Sequence, residues 1–301
     1  MLGDEYGSLV VVATVSTAII VGLSVIFGSR PILINGIFAV CLPAAIFVFS
    51  NFVDKSIIDT FHLLFQMCVG NEKSWNRLYI LSFWAANVLV SVCFCAYITS
   101  IGRSNTIHRK FFHLTVSLIY TSGLLYAPLF SWLCAWLWLC IFILVELLRF
   151  YNVPPWGRVL NEHLLIFKDA QDSVLLLTPI YLLIGIFLPL MISSNVGSET
   201  FEPTLAHFAG VAAVGVGDSM AAIVGSQWGR TKWTGSQKSL EGTLAMLFSM
   251  LSFLLLANNL LVFRASSTIS IVAASLTASL LEAFLEKMDN FVLPLVTYVI
   301  L

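Results

Sequence analysis

The sequence predicts an all-α, multi-pass membrane protein, a transmembrane helix bundle of about ten spans. Hydrophobic residues make up 59% of the chain and charged residues 10%, whereas soluble domains carry roughly 25% charged residues. Apolar runs of about 20 residues, the length that a helix needs to cross a bilayer, recur along nearly the whole chain. These runs lack the alternation of apolar and polar residues that an outer-membrane β-barrel requires.

In chain order, the predicted spans cover residues 8–27, 31–50, 78–98, 113–129, 130–148, 174–192, 205–225, 243–263, 268–286 and 291–301. The last span is too short to cross fully at about 1.5 Å per residue. The six cysteines lie mostly in apolar segments, without metal-binding spacing, and are expected to be packing thiols. The net charge of −1 gives no indication of a nucleic-acid partner.

Three loops on one side of the predicted bundle determine its expected orientation. Short cytosolic loops are enriched in Lys and Arg, so we expect these loops in the cytosol. The 193–204 loop on the opposite side has no basic residue, although the 51–77 segment, also predicted there, has three. The three loops hold nine of the 15 basic residues of the chain, namely Arg103, Arg109, Lys110, Arg149, Arg158, Lys168, Arg230, Lys232 and Lys238.

The seventh span carries one carboxylate, Asp218, in an otherwise small and apolar stretch. A charge at membrane depth is costly, so such a residue usually faces a cavity, an ion or an opposing charge. Gly215, Gly217 and Gly225 would let another backbone or a ligand approach closely. A close-packed helix interface would also explain the glycines, but it leaves Asp218 without a partner. We therefore interpret this stretch as half of a functional site.

Residues 226–243 follow directly and have a composition suited to phosphate binding. A turn at Gly235 and Ser236 can offer backbone N–H groups, and Glu241 can hold a divalent metal. The stretch does not match the Gly-x-x-x-x-Gly-Lys-Ser/Thr phosphate loop, and a solvated positive loop with interfacial tryptophans is the alternative. The cations that can neutralise a polyphosphate are Arg230, Lys232 and Lys238.

Acidic residues near the end of the chain form a further candidate group. Glu282, Glu286 and Asp289 recur at helical spacing, so they can share one face and meet the Asp218 region across the bundle. Asn290 follows them. The alternative is that residues 286–290 are simply a polar helix end, whereas Glu282 lies deeper and is the better candidate.

Three more polar sets are candidates for the site or for a structural role. Arg109, Lys110 and His113 begin the fourth span as topology signals or as ligands. Glu146 and Arg149 are spaced i,i+3 and are expected to pair with each other. The carboxylates of Asp169 and Asp172 either bind a metal or include a cap for the following helix.

Together these residues resemble the dolichol kinase family, part of the polyprenol and phytol kinase group that is similar to CDP-diacylglycerol synthases. The likeness implies a catalytic membrane domain over residues 101–301, and residues 1–100 are membrane spans without an assignable role. The motifs that carry the likeness are Arg109-Lys-Phe-Phe-His113, Glu146-Leu-Leu-Arg149, Asp169 to Asp172 followed by Thr178-Pro-Ile-Tyr-Leu-Leu-Ile-Gly185 and Leu188-Pro189, Val216-Gly-Asp-Ser-Met-Ala-Ala-Ile-Val-Gly225, Lys238-Ser-Leu-Glu-Gly-Thr243, and Glu282 with Asp289-Asn290.

The resemblance implies a CTP-dependent lipid kinase in the endoplasmic reticulum membrane, with its active site facing the cytosol. Such an enzyme phosphorylates dolichol or another polyprenol, which then feeds lipid-linked sugar donors for protein glycosylation. Mg²⁺ or another divalent cation is the expected cofactor. The chain departs from the family at Gln237-Lys238, where two lysines are common, and at Ala170-Gln171, where an acidic pair is common.

The resemblance also assigns roles to individual residues. Asp218, Lys238 and Glu241 are the expected catalytic residues, with Asp218 and Glu241 holding the metal or one of them acting as the base. The expected CTP-binding residues are Ser226, Gly229, Arg230, Lys232, Trp233, Gly235, Ser236, Lys238, Ser239 and Glu241. Further polar site candidates are Arg109, Lys110, His113, Glu146, Asp172, Glu282, Asp289 and Asn290.

Two other functions fit the same residues. A nucleotidyltransferase of the CDP-diacylglycerol synthase type would join CMP to a phosphatidate and release pyrophosphate. A transporter would bind an anion at Asp218 and the glycines of a broken seventh span, without consuming nucleotide.

Overall fold

The computed structural model describes residues 2–28, 30–72, 75–103, 105–165, 168, 172, 174–193, 196, 198, 201–261, 266–285 and 287–301. Asp169 and Glu286, which the sequence analysis singled out, lie outside these residues. The helices in the described ranges are α1 Leu2–Phe27, α2 Pro31–Phe52, α3 Ile57–Val69, α4 Arg77–Ile101, α5 Thr106–Tyr126, α6 Pro128–Phe150, α7 Trp156–Leu164, α8 Thr178–Met191, α9 Ser219–Trp228, α10 Leu240–Leu260, α11 Thr268–Phe284 and α12 Asp289–Ile300.

Two short features complete the secondary structure. A 3₁₀ turn, Leu205–Phe208, and a π-helical segment, Val211–Asp218, precede α9, so that Leu205–Trp228 is one continuous helix of 24 residues. Between α3 and α4, the two-residue strands β1 Asn71–Glu72 and β2 Trp75–Asn76 pair in antiparallel fashion.

The all-α, multi-pass prediction is confirmed. Each of the ten predicted spans coincides with a helix, and six helices in the described part of the chain are long and apolar enough to cross a membrane. These six are Asp4–Phe27, Pro31–Phe52, Arg77–Ile101, Pro128–Phe150, Leu205–Trp228 and Leu240–Leu260. The remaining apolar helices include four of 10–17 residues, so a total of ten crossings stays a prediction.

The main core lies between α5, α6, α8, the 205–228 helix, α10, α11 and α12. Tyr120 of α5 is fully buried there and donates a hydrogen bond to the His207 carbonyl oxygen at 2.6 Å. A second apolar cluster joins α1, α2 and α3 to α6. The first helices therefore pack directly against the part of the chain that carries the family motifs.

Two helices lie outside the predicted spans. α3 is an amphipathic helix within the 51–77 segment, and its N-cap Ser56 accepts a hydrogen bond from the Asp59 N–H at 3.2 Å. α7 is an amphipathic helix in the 150–173 loop. α3 has only 13 residues, and α7 has its apolar residues on one face, so a search for apolar runs of bilayer length finds neither helix.

Candidate active site

Asp218 ends the π-helical segment and is buried, with 3% of its surface exposed. π-helical turns are rare and often occur at functional sites. The Asp218 carboxylate forms an ion pair with the Lys110 ammonium of α5. His113, one turn further along α5, has its Nε2 3.6 Å from the same carboxylate oxygen. The carboxylate therefore has the opposing charge that its membrane position requires.

The glycines around Asp218 serve close helix packing. A Cβ at Gly215 would clash with the Ser117 hydroxyl of α5, and one at Gly217 would lie 2.7 Å from Met250 Cγ of α10. A Cβ at Gly225 would lie 3.6 Å from the Gly242 Cα of α10. The packed-interface interpretation therefore accounts for the glycines, and polar partners from α5 account for Asp218.

The start of α5 connects Asp218 to α12. Asn105 caps α5 by accepting a hydrogen bond from the His108 N–H at 2.8 Å, which fixes the first turn. The buried His113 ring lies 3.1 Å from the Asn290 amide oxygen through Nε2, and its Nδ1 lies 3.2 Å from the Arg109 carbonyl oxygen. The motif at the start of the fourth span thus joins the site instead of serving only as a topology signal.

A second ion pair joins the cationic loop to α11. The Lys238 ammonium contacts the Glu282 carboxylate, and the side chains are 37% and 3% exposed. Burial by itself lowers the pKa of Lys238, but the carboxylates of Glu282, Asp218 and Asp289 outweigh it and raise the pKa above its ordinary value of 10.5. Lys238 is therefore charged at neutral pH and lies within electrostatic reach of Asp218, so the two ion pairs form one cluster.

The loop between α9 and α10 folds back as a hairpin. The Ser236 N–H donates to the Trp233 carbonyl at 3.1 Å, and Gly235 adopts a φ of 80°, which glycine permits. Lys232 donates from Nζ to the Gln237 carbonyl at 2.8 Å. This turn directs Lys238 back towards α11.

Contacts at the base of the hairpin hold it on the helices. The Trp233 ring lies 5.4 Å from the Phe284 ring, and its Nε1 donates to the Thr243 hydroxyl at 3.0 Å. The Glu241 carboxylate accepts hydrogen bonds from the Thr231 N–H at 3.0 and 3.2 Å. A supporting role for Phe284, Thr231 or Thr243 was not predicted from the sequence. Apolar and hydroxyl side chains are common along the chain, and their contacts with the hairpin exist only once the loop has folded.

Glu241 and Asp218 have different surroundings. Gly242 packs beside Gly225, which follows Asp218 by two helical turns, so Glu241 lies roughly 10 Å farther along the helix pair at about 1.5 Å per residue. One metal ion bound by both carboxylates is not supported by this arrangement. Among the residues that the structure describes, no group of three or more His, Cys, Asp or Glu side chains is arranged to hold a metal ion.

The remaining predicted loop residues lie around the hairpin. Ser239 caps α10 by accepting from the Gly242 N–H at 3.2 Å, and the Ser236 hydroxyl accepts from the Lys238 N–H at 3.1 Å. A Cβ at Gly229 would clash with the Gly225 carbonyl, so this position needs glycine. The solvent-exposed residues of the set include Ser226, Arg230, Lys232 and Gly235.

Glu146 and Asp172 belong to a separate structural network. Arg149 binds Glu146 through two hydrogen bonds of 2.6 and 2.7 Å and also donates to the Val174 carbonyl at 2.8 Å. The Asp172 carboxylate accepts hydrogen bonds from the Leu177 N–H at 2.8 Å and from the Thr178 N–H at 3.1 Å. Leu177 lies just before α8, and Thr178 is its first residue. Asp172 therefore makes the helix-capping contact that was one of its two predicted roles.

The candidate site thus brings together residues from four distant parts of the sequence at one end of the bundle. It contains two lysines, a histidine, the side-chain amide of an asparagine and several carboxylates in a largely buried cluster, next to an exposed cationic hairpin. Such a site can neutralise phosphates and orient a hydroxyl group. The residues that meet there are Lys110, His113, Asp218, Lys238, Glu282, Asp289 and Asn290.

Comparison with known proteins gives the family. No family model and no solved structure matches the chain. The chain is 33% identical to the dolichol kinase of Homo sapiens, 34% to that of Mus musculus and 30% to the dolichol kinase EVAN of Arabidopsis thaliana. Each match covers 75% of this chain and 45%, 45% and 40% of the relative, so the chain spans less than half the length of these relatives. By this similarity, the chain belongs to the dolichol kinase family.

Proposed function

We propose that the chain is a CTP-dependent lipid kinase that transfers the γ-phosphoryl group of CTP to the terminal hydroxyl of dolichol or a related polyprenol. The observation that carries this proposal is the joined pair of ion pairs, Lys110 with Asp218 and Lys238 with Glu282. Phosphoryl transfer needs mainly positioning and charge neutralisation, without a covalent enzyme intermediate. A buried cluster of cations and carboxylates beside a basic hairpin is suited to both tasks.

The hairpin supplies the phosphate contacts in this proposal. The Arg230 side chain is exposed, Lys232 lies beside it, and Lys238 reaches from the hairpin into the cluster. These three cations would bind the CTP phosphates, and Glu241 keeps the hairpin backbone in place through Thr231. Trp233 was expected among the CTP-binding residues, but since its ring already packs against Phe284, we assign it to support of the hairpin.

Asp218 orients the reacting groups in the same proposal. The carboxylates of Asp218 and Asp289 and the amide oxygen of Asn290 are the hard oxygen donors that Mg²⁺ prefers, so the donor set fits this ion. Bound there with the nucleotide, Mg²⁺ would neutralise charge on the phosphates. Lys110 holds the Asp218 carboxylate in place through their ion pair, and His113 links that pair to Asn290.

The lipid tail stays in the bilayer while its hydroxyl reaches the polar end of the bundle. We propose the endoplasmic reticulum as the membrane and the cytosol as the side of the site, because the three basic loops favour this orientation. All ten apolar helices that coincide with predicted spans would then serve as membrane segments, with the shortest ones tilted or embedded only partway.

The direct test reconstitutes the purified protein with [γ-³²P]CTP, Mg²⁺ and a short dolichol in liposomes. We expect labelled dolichyl phosphate and an equal amount of CDP. A nucleotidyltransferase would instead release labelled pyrophosphate and leave no γ-label on the lipid, and a transporter would leave CTP intact. Either result, in a lipid environment that supports a known dolichol kinase, would refute the proposal.

A further inference from the structure

Glu282 is, like Asp218, an almost fully buried carboxylate of the cluster, and its position is unfavourable for a negative charge. It is 2% exposed, and α11 ends two residues later, at Phe284. The carboxyl end of a helix carries partial negative charge, so it disfavours a nearby carboxylate, as burial also does. The Lys238 ammonium is therefore the positive charge that compensates the Glu282 carboxylate in this arrangement.

The two lysines of the cluster differ in their freedom to move. Lys110 lies in the second turn of a packed helix and is 12% exposed, whereas Lys238 is on the hairpin and is 37% exposed. A triphosphate arriving from the aqueous side therefore meets Lys238 first. When Lys238 turns to the phosphates, Asp218 keeps its counter-ion and Glu282 loses its own.

We propose, on the basis of the proposed kinase function, that Glu282 is both the competitor of the nucleotide for Lys238 and the base that takes the proton of the lipid hydroxyl. The O–H bond of the alcohol breaks and its proton passes to Glu282. The alcohol oxygen forms the new bond to the γ-phosphorus, and the bond from that phosphorus to the β-phosphate oxygen breaks. CDP leaves with the electron pair of the broken bond.

The position of α11 fits a role at the lipid substrate. Leu276, Leu280 and Phe284 expose 43–58% of their surfaces along α11, as expected for a helix that borders the lipid chains. Glu282 lies on the inner face of this helix. A polyprenol beside α11 would thus bring its hydroxyl to the cluster across a single helix, while nucleotide binding draws Lys238 away.

The test measures CTP affinity and turnover separately in Glu282→Gln. We expect the dissociation constant of CTP to fall about fivefold, because Lys238 no longer has a competing anion. Turnover should fall about a hundredfold or more, as expected for loss of a general base, and Glu282→Asp should recover part of it. A merely structural role would not tighten binding while turnover falls.

Two controls keep the outcomes separate. Arg158→Ala, which breaks an exposed pair with Glu162, should change neither quantity. Without nucleotide, an amine reagent should label Lys238 faster in Glu282→Gln than in the wild type, because the lysine has lost its ion-pair partner, and CTP should slow the labelling in both proteins. Unchanged or weaker CTP binding in Glu282→Gln would overturn this inference alone, and so would full turnover. Equal labelling of Lys238 in Glu282→Gln and in the wild type would also overturn it, and this readout does not depend on binding data. Absence of CTP binding by the wild type would overturn the proposed function as well.

Discussion

Replacing Lys110 with Met should reveal how strongly the site depends on the ion pair with Asp218. The substitution keeps the length of the side chain but leaves a carboxylate that is 4% exposed without its cation. Removing one partner of a buried ion pair costs about 3–5 kcal/mol. His113 Nε2 lies 3.6 Å from the same oxygen, beyond hydrogen-bond distance, so it does not replace the cation and we expect a loss of about 3 kcal/mol or more.

Such a loss of stability can be measured as a shift in the midpoint of thermal unfolding of the purified protein in detergent. A domain of 150–250 residues loses about 2–4 °C of midpoint per kcal/mol, so Lys110→Met should unfold at least about 6 °C below the wild type. The double variant Lys110→Met with Asp218→Asn should recover most of this difference, because no unpaired charge remains buried. It should nevertheless stay inactive. Additive losses in the double variant would refute the assigned pairing.

Three further predictions follow from the same contacts. Arg149→Met should lower the free energy of unfolding by about 3 kcal/mol or more, measured as above, because it leaves Glu146 buried and unpaired. Trp233→Ala should raise the KM for CTP more than it lowers kcat, because the hairpin loses its contact with Phe284. The pKa of Lys238 is higher in the folded protein than in the unfolded chain, where it is about 10.4. The ion pair with Glu282 therefore stabilises the fold fully at pH values below the unfolded-state pKa, and this stabilisation is lost as the pH rises through the folded-state pKa. The difference in midpoint between wild type and Lys238→Met should therefore stay constant from about pH 7 to pH 9 and shrink only above about pH 10.4.

The helices were predictable because apolar runs of bilayer length leave few alternatives to a span. α3 and α7 were not found, because α3 has only 13 residues and α7 has its apolar residues on one face of a nine-residue helix. Close packing was the alternative interpretation of the glycines near Asp218, and their contacts with Ser117, Met250 and Gly242 are of this kind. Sequence patterns thus predicted the helices well, but they predicted few of the contacts between the helices.

Contacts between residues that are far apart in the sequence decide which side chains belong to the site. Lys110 and Asp218 are 108 positions apart, and no local pattern states that α5 packs against the π-helical segment. Both residues were site candidates from the sequence but were not paired with each other, although a buried carboxylate needs a cation. Sequence proximity also grouped Glu241 with Lys238, although the hairpin turns their side chains towards different partners.

The central claim is that the buried cluster around Asp218 is where phosphoryl transfer occurs. The most direct test is the rate at which γ-label passes from CTP to dolichol in wild type, Asp218→Asn and Glu241→Gln, measured at saturating CTP. We expect Asp218→Asn to lose about a hundredfold or more, the loss typical of a group that stabilises the transition state, and Glu241→Gln mainly to raise the KM for CTP. Near wild-type transfer by folded Asp218→Asn would contradict the claim.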